Sequence, residues 1–128
     1  MSKLIMLISG ISAGLSVVLG AFASHGLKKK ISAEMLAVFK TGVDYQFYHS
    51  FALALVGLSM IVQNTENNIE QTTFLTWAFI CFGIGIIFFS GSLYLLALTK
   101  KKIFGPITPL GGLFFILGWL FFVIHWIN

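Results

Sequence analysis

Three stretches of the chain, 4–24, 73–98 and 108–127, are apolar almost without interruption. As helices rising about 1.5 Å per residue, each is long enough to cross a hydrocarbon core of roughly 30 Å. A fourth stretch is different. Its strictly apolar part, Phe51 to Val62, would cover only about 18 Å as a helix. The polar, acidic segment that follows, "QNTENNIEQ", cannot enter a bilayer, so the missing length must come from "VDYQFYHS" before it. The pattern therefore predicts a span at 43–62, with Asp44 near the head groups and His49 deeper. Four spans joined by short connections predict an all-α, four-helix transmembrane bundle, up-down-up-down, forming a single integral membrane domain over 1–128.

Finer patterning fills in this outline. Ser12, Ser16, Gly20 and Ser24 recur every four residues, with Gly10 and Gly14 on a neighbouring stripe, a spacing that lets helices approach closely in lipid. Gly83 and Ser90 to Ser92 are expected to serve the third span in the same way. Between the first two spans, Ser32 is placed to cap a short interfacial helix that presents Met35, Leu36 and Phe39 on one face. Thr108 is expected to cap the fourth span, with Pro109 at its first helical position. Trp77, Trp126 and His125 are read as lying at the outer boundary.

Composition agrees with a membrane residence and excludes a soluble enzyme. The 128 residues are 58% hydrophobic and 9% charged, too little polar surface to coat a globule of this size. Charge then sets the orientation. All eight cations are lysines, and Lys28, Lys29, Lys30, Lys40, Lys100, Lys101 and Lys102 fall in the first and third connections, whereas Glu66 and Glu70 fall in the second. The positive-inside bias places the lysine connections in the cytoplasm and both termini outside. Lys28 to Lys30 and Lys100 to Lys102 are candidate contacts for anionic lipid rather than for nucleic acid, because they flank apolar runs. Lys3, the first apolar run and "AFA" also resemble a cleavable signal peptide, but the run is longer than a usual signal core, so a retained span is expected. The lone Cys81 permits neither an internal disulfide nor a cysteine-based metal site.

The candidate chemistry gathers toward the lysine side. On a helix, Thr41, Asp44, Tyr45, Tyr48 and His49 share an arc of about 140°, opposite Val43, Phe47 and Phe51, so that arc is expected to face the bundle. His25, Gln46, Ser90, Ser92, Tyr94 and Thr108 are expected in the same leaflet, completing a polar cluster for helix packing or ligand binding. Two histidines, His25 and His49, are a weak haem signal. No phosphate loop, zinc-protease motif or nucleophile elbow is present, so neither a catalytic residue, a metal nor a cofactor is predicted. "GPITPLGG" could aim helix N–H groups at a phosphate, although a capped turn is the simpler reading.

Four segments, "GAFASHGLKK", "TGVDYQFYHSFAL", "FSGSLYLLALT" and "GPITPLGG", carry a family resemblance. In order and spacing they resemble the signature segments of a small four-helix membrane family, domain of unknown function 423, related to transmembrane protein 256. Ser24 departs from the alanine or glycine more usual before the histidine. The resemblance implies the fold and plasma-membrane residence, and no catalytic residues. The expected function is therefore non-enzymatic, with membrane lipids as partners and a homo-oligomer as a possible assembly. The alternative is a small transporter, channel or proton-handling protein built on Asp44 and His49.

Overall fold

The computed structural model describes residues 1–64 and 72–127. Glu66 and Glu70, used above for orientation, lie outside the described residues. Within them the chain is helical with no strand, and four helical rods are long and apolar enough to span a membrane: Ser2–Leu27, Ala33–Gln63, Thr73–Thr99 and Lys102–Ile127. The first comprises α1 (Ser2–Phe22) and a π turn at Ala23–Leu27, and the second is α2 (Ala33–Asn64). The third is built from α3 (Thr72–Gly85), a π turn at Ile86–Ser90 and α4 (Gly91–Thr99). The fourth is a 3₁₀ turn (Lys102–Phe104) leading into α5 (Ile107–Ile127).

α2 is the centre of the bundle. Half of its most apolar window is buried, against 17% for the first and fourth rods. α1 covers one side of it, α3, the second π turn and α4 cover another, and α5 packs chiefly on α3 and that π turn. Neighbouring rods run antiparallel. Gly57 of α2 meets Met6 of α1 while Gly20 of α1 meets Val43, and Gly118 of α5 meets Phe82 while Gly111 meets Phe89. One core cluster, around Ile5, Leu53, Val56, Met60, Leu75 and Phe82, fills the end bearing the N-terminus and the middle. A second, built on Ala23, Leu27, Phe39 and Ala97, closes the lysine end.

That second cluster corrects the expected interfacial helix. Ser32 does accept a hydrogen bond from the Met35 N–H (3.2 Å), as a cap should. The helix it opens, however, continues unbroken into the second span. Phe39 is buried on Leu27 and Ala97, with Met35 and Leu36 packed beside it, so the face expected to rest on lipid is held by the bundle. At about 1.5 Å per residue, the 32 residues of α2 cover roughly 48 Å. Asp44 therefore sits about three turns inside the helix rather than at its mouth, and His49 lies at its midpoint.

The small-residue stripes are sorted by contact. Ser16 is buried and Gly20 touches Val43, whereas Gly10, Gly14 and Gly83 face open space. In the third and fourth rods the close approaches fall at Gly85, Gly111 and Gly118 instead. At the end opposite the lysines, His125 in the last turn of α5 is buried within the bundle, its Nε2 2.8 Å from the Nε2 amide nitrogen of Gln63. Trp77 and Trp126 stand exposed toward that end.

Candidate functional site

The inward face of α2 is set by size and hydrogen-bonding capacity, and it differs from the face that polarity suggested. Gly42, Gln46, His49, Ser50, Leu53 and Val56 are buried, while Thr41, Asp44, Tyr45 and Tyr48 are exposed. At about 100° per residue, this face is rotated by roughly 100° from the expected polar arc, and His49 is the residue they share. Against α1 the inward face makes a ladder. Ser9 donates to the Ser50 carbonyl (2.8 Å), and Gln46 Nε2 donates to the Ser12 carbonyl (2.9 Å). The Ser50 hydroxyl donates to the Gln46 carbonyl and lies 2.7 Å from Ser12 Oγ.

From Gln46 the network crosses to the third rod, where the Tyr94 hydroxyl donates to Gln46 Oε1 (2.8 Å). Gly42 leaves room for it: a Cβ there would lie 2.8 Å from the Tyr94 ring. Ser92, two residues earlier on α4, donates to the Phe89 carbonyl (2.9 Å) and stands 2.7 Å from Thr108 Oγ1 of α5. Its single proton is used on the carbonyl, so Thr108 is the donor in the second bond. Thr108 is thus an interhelical tie rather than the expected cap, because α5 begins one residue before it and Pro109 sits at the third position. The wholly buried Ser90 hydroxyl has no hydrogen-bond partner. Replacing Thr108 by valine removes this tie at constant shape, and is expected to cost about 0.6 kcal/mol of stability, the average for such bonds in membranes. Thermal unfolding in detergent checks it, with no change expected from Thr41→Val, whose exposed hydroxyl bonds its own helix.

His49 belongs to a different arrangement. Its Nδ1 lies 2.8 Å from the Tyr45 carbonyl, and its ring stacks on Phe115 with centroids 3.4 Å apart and 8° between planes. Tyr45 stacks on Phe89 at 4.5 Å, and Trp119 meets Phe82 edge-on at 5.1 Å. Between α2, the second π turn and α5, the rings of Tyr45, His49, Phe89, Phe115 and Trp119 line a lateral cleft of about 610 Å³. Nothing in the sequence marked Phe89, Phe115 and Trp119, since the stretches around them, 86–89 and 110–124, are apolar almost throughout.

The remaining expected members stand apart. His25, in the first π turn, is exposed and outside the network. Asp44 is exposed beside Ser16, Gly20 and Phe47 in a smaller cleft of about 230 Å³ between α1 and α2. Asp44 and His49 are about 140° apart around the helix and line separate clefts. The lysines, by contrast, do converge. Leu27 immediately precedes Lys28 to Lys30, Ala97 closely precedes Lys100 to Lys102, and both residues belong to one packed cluster. Lys100 closes α4 in the left-handed conformation (φ 57°), its N–H donating to the Leu96 carbonyl (2.8 Å). Among the described residues no group of three or more histidine, cysteine, aspartate or glutamate side chains is placed to hold a metal ion.

Comparison with known proteins agrees with a membrane protein. The family described as "Protein of unknown function (DUF423)" matches residues 19–112. The UPF0382 membrane protein SAB0533 of Staphylococcus aureus strain bovine RF122 / ET3-1 is 43% identical over 115 residues, 90% of this chain and 88% of its own. The UPF0382 membrane protein YwdK of Bacillus subtilis strain 168 is 41% identical over 90% of this chain and 89% of its own. The UPF0382 inner membrane protein YgdD of Escherichia coli K12 is 33% identical over 90% and 82%. No solved structure matches. The family match covers the inward face of α2, the lysine-bearing connections and the tie to α5, and the chain belongs to the DUF423 family of membrane proteins.

Proposed function

We propose that the protein is a non-catalytic integral protein of the plasma membrane that holds anionic lipid at its lysine end, with its four rods locked by the polar network. The observation that carries this reading is the convergence of Lys28 to Lys30 and Lys100 to Lys102 on one end of the bundle. By the positive-inside bias that end lies in the cytoplasm, with both termini outside. An apolar groove of about 500 Å³ between the third and fourth rods begins under the second lysine run. Phe104 and Ile107 wall its mouth, and Gly91, facing open space, deepens it. A lipid tail seated there leaves its head group beside Lys100 to Lys102. The network supports a structural role for the polar residues, because Gln46 is already engaged on both its amide nitrogen and its oxygen. A relay through Asp44 and His49 is less favoured, since the two line separate clefts.

Native mass spectrometry from nanodiscs of mixed phosphatidylglycerol and phosphatidylcholine tests the proposal. The wild type is expected to retain the anionic lipid preferentially. Each lysine near an anionic surface contributes about 1 kcal/mol, so changing Lys100, Lys101 and Lys102 together to glutamine should weaken retention on the order of a hundredfold. Lys3→Gln, at the other end, should have no effect. Equal retention of both lipids by the wild type would sink the reading.

A further inference from the structure

The cleft beside His49 has a chemistry that the lipid reading does not use. Tyr45, Phe89, Phe115 and Trp119 line it around the histidine, and Leu113 and Ile116 of α5 complete the apolar wall. Its one buried polar hook is the imidazole, only 6% exposed. The Tyr45 carbonyl can only accept a hydrogen bond, so the hydrogen on His49 lies on Nδ1. In the neutral ring Nε2 is then an acceptor, and the side chain lines the cleft. A complementary ligand must supply an O–H or N–H donor and a flat, apolar body. Aromatic walls favour a planar ring, which stacks offset or edge-on against them.

Depth narrows the choice. His49 is at the midpoint of α2, and its neighbours Gln46 and Ser50 bond to Ser9 and Ser12 near the middle of α1. His49 is nine residues, roughly 14 Å of helix, from the exposed Lys40 and level with the middle of α1, so the site lies deep in the apolar part of the bundle. A phospholipid head group cannot follow its tail to that depth, because desolvating a phosphate there is too costly. A ligand that reaches His49 must carry its donor on a head group soluble in hydrocarbon, and must enter sideways from the membrane. At about 610 Å³ the cleft has room for such a ring and the first part of its tail.

We infer that this cleft is a binding site for a lipid-borne hydroquinone, whose ring lies among Tyr45, Phe115 and Trp119 and whose hydroxyl donates to His49 Nε2. The matching quinone has nearly the same shape and no donor, so the site discriminates between the two forms. It loses that discrimination when the acceptor is removed. His49→Phe keeps a ring to stack on Phe115, and the Tyr45 carbonyl retains its place in the helix, so the fold is preserved. The site stands independently of the lysine end.

The test is calorimetric titration of the full chain in nanodiscs, under argon, with 2-decyl-1,4-hydroquinone and the corresponding quinone. The wild type is expected to bind one hydroquinone per chain at least tenfold more tightly than the quinone. His49→Phe should bind both equally weakly, and the variant with Lys100, Lys101 and Lys102 changed to glutamine should behave as wild type. Equal wild-type affinities for the two forms would overturn the inference, without reference to any variant. So would a preference that survives in His49→Phe, or a phospholipid retained in native mass spectra with no saturable uptake of hydroquinone.

Discussion

Gly111→Ala is expected to lower the stability of the detergent-solubilised protein by about 3 kcal/mol, the upper end of the usual cost of overfilling a packed site. A Cβ at Gly111 would overlap the Phe89 backbone nitrogen and lie 2.7 Å from both Cα and Cβ of Phe89. A side chain can turn away from such a contact, but backbone cannot. The comparison with Gly118 shows the difference. There the added Cβ would meet the edge of the Phe82 ring at 2.7 Å, and a ring can shift within its neighbours. Phe89 also lies in the π turn at Ile86–Ser90, where the wider helix brings its backbone against α5. Gly83→Ala and Gly91→Ala are matched controls, because nothing stands within 4 Å of either new Cβ. Each removes a helical glycine, worth up to about 1 kcal/mol in favour of the variant. Thermal unfolding of the three variants should therefore separate them in sign as well as size. If Gly111→Ala unfolds with the controls, the close packing of α5 on the π turn is not what holds these rods together.

The same contacts show which features a sequence can reveal in a membrane protein. The spans were legible because length and apolarity are imposed by the bilayer itself. The helix start at Ser32 was legible because a cap is local chemistry. Orientation around the helix axis was not. In water, burial separates polar from apolar residues, whereas in lipid both faces of α2 are apolar enough, and packing separates small or fully bonded residues from large ones. Gly42, Gln46 and Ser50 turn inward on that principle, while Asp44 and Tyr48 are left on the outer surface. The separate interfacial helix was misread for a related reason: Phe39 on a lysine-flanked segment has the same pattern whether it lies on lipid or on Leu27 and Ala97. Neither π turn leaves a sequence signature, and the aromatic cleft depends on the second of them to bring Phe89 toward Tyr45 and Phe115.

Gln46→Leu carries the other large effect, expected at about 2 kcal/mol. A single interhelical hydrogen bond in a membrane averages only about 0.6 kcal/mol. Gln46 makes two, to different rods, and their loss is unequal in consequence. The Ser12 carbonyl keeps its place in the α1 ladder and loses little. The Tyr94 hydroxyl has Gln46 as its acceptor, and leaving such a group unbonded in a packed interior costs about 1–3 kcal/mol. Tyr94→Phe should therefore cost less than Gln46→Leu, and the double variant should be more stable than the sum of the single losses predicts, by about 1 kcal/mol. Ser59→Ala is the contrasting control, since its hydroxyl donates to the Leu55 carbonyl one turn earlier in the same helix. A cycle that is additive within about 0.3 kcal/mol would mean that Tyr94 finds another acceptor. A measurable coupling would identify Gln46 as the joint through which α1, α2 and α4 are held in one register.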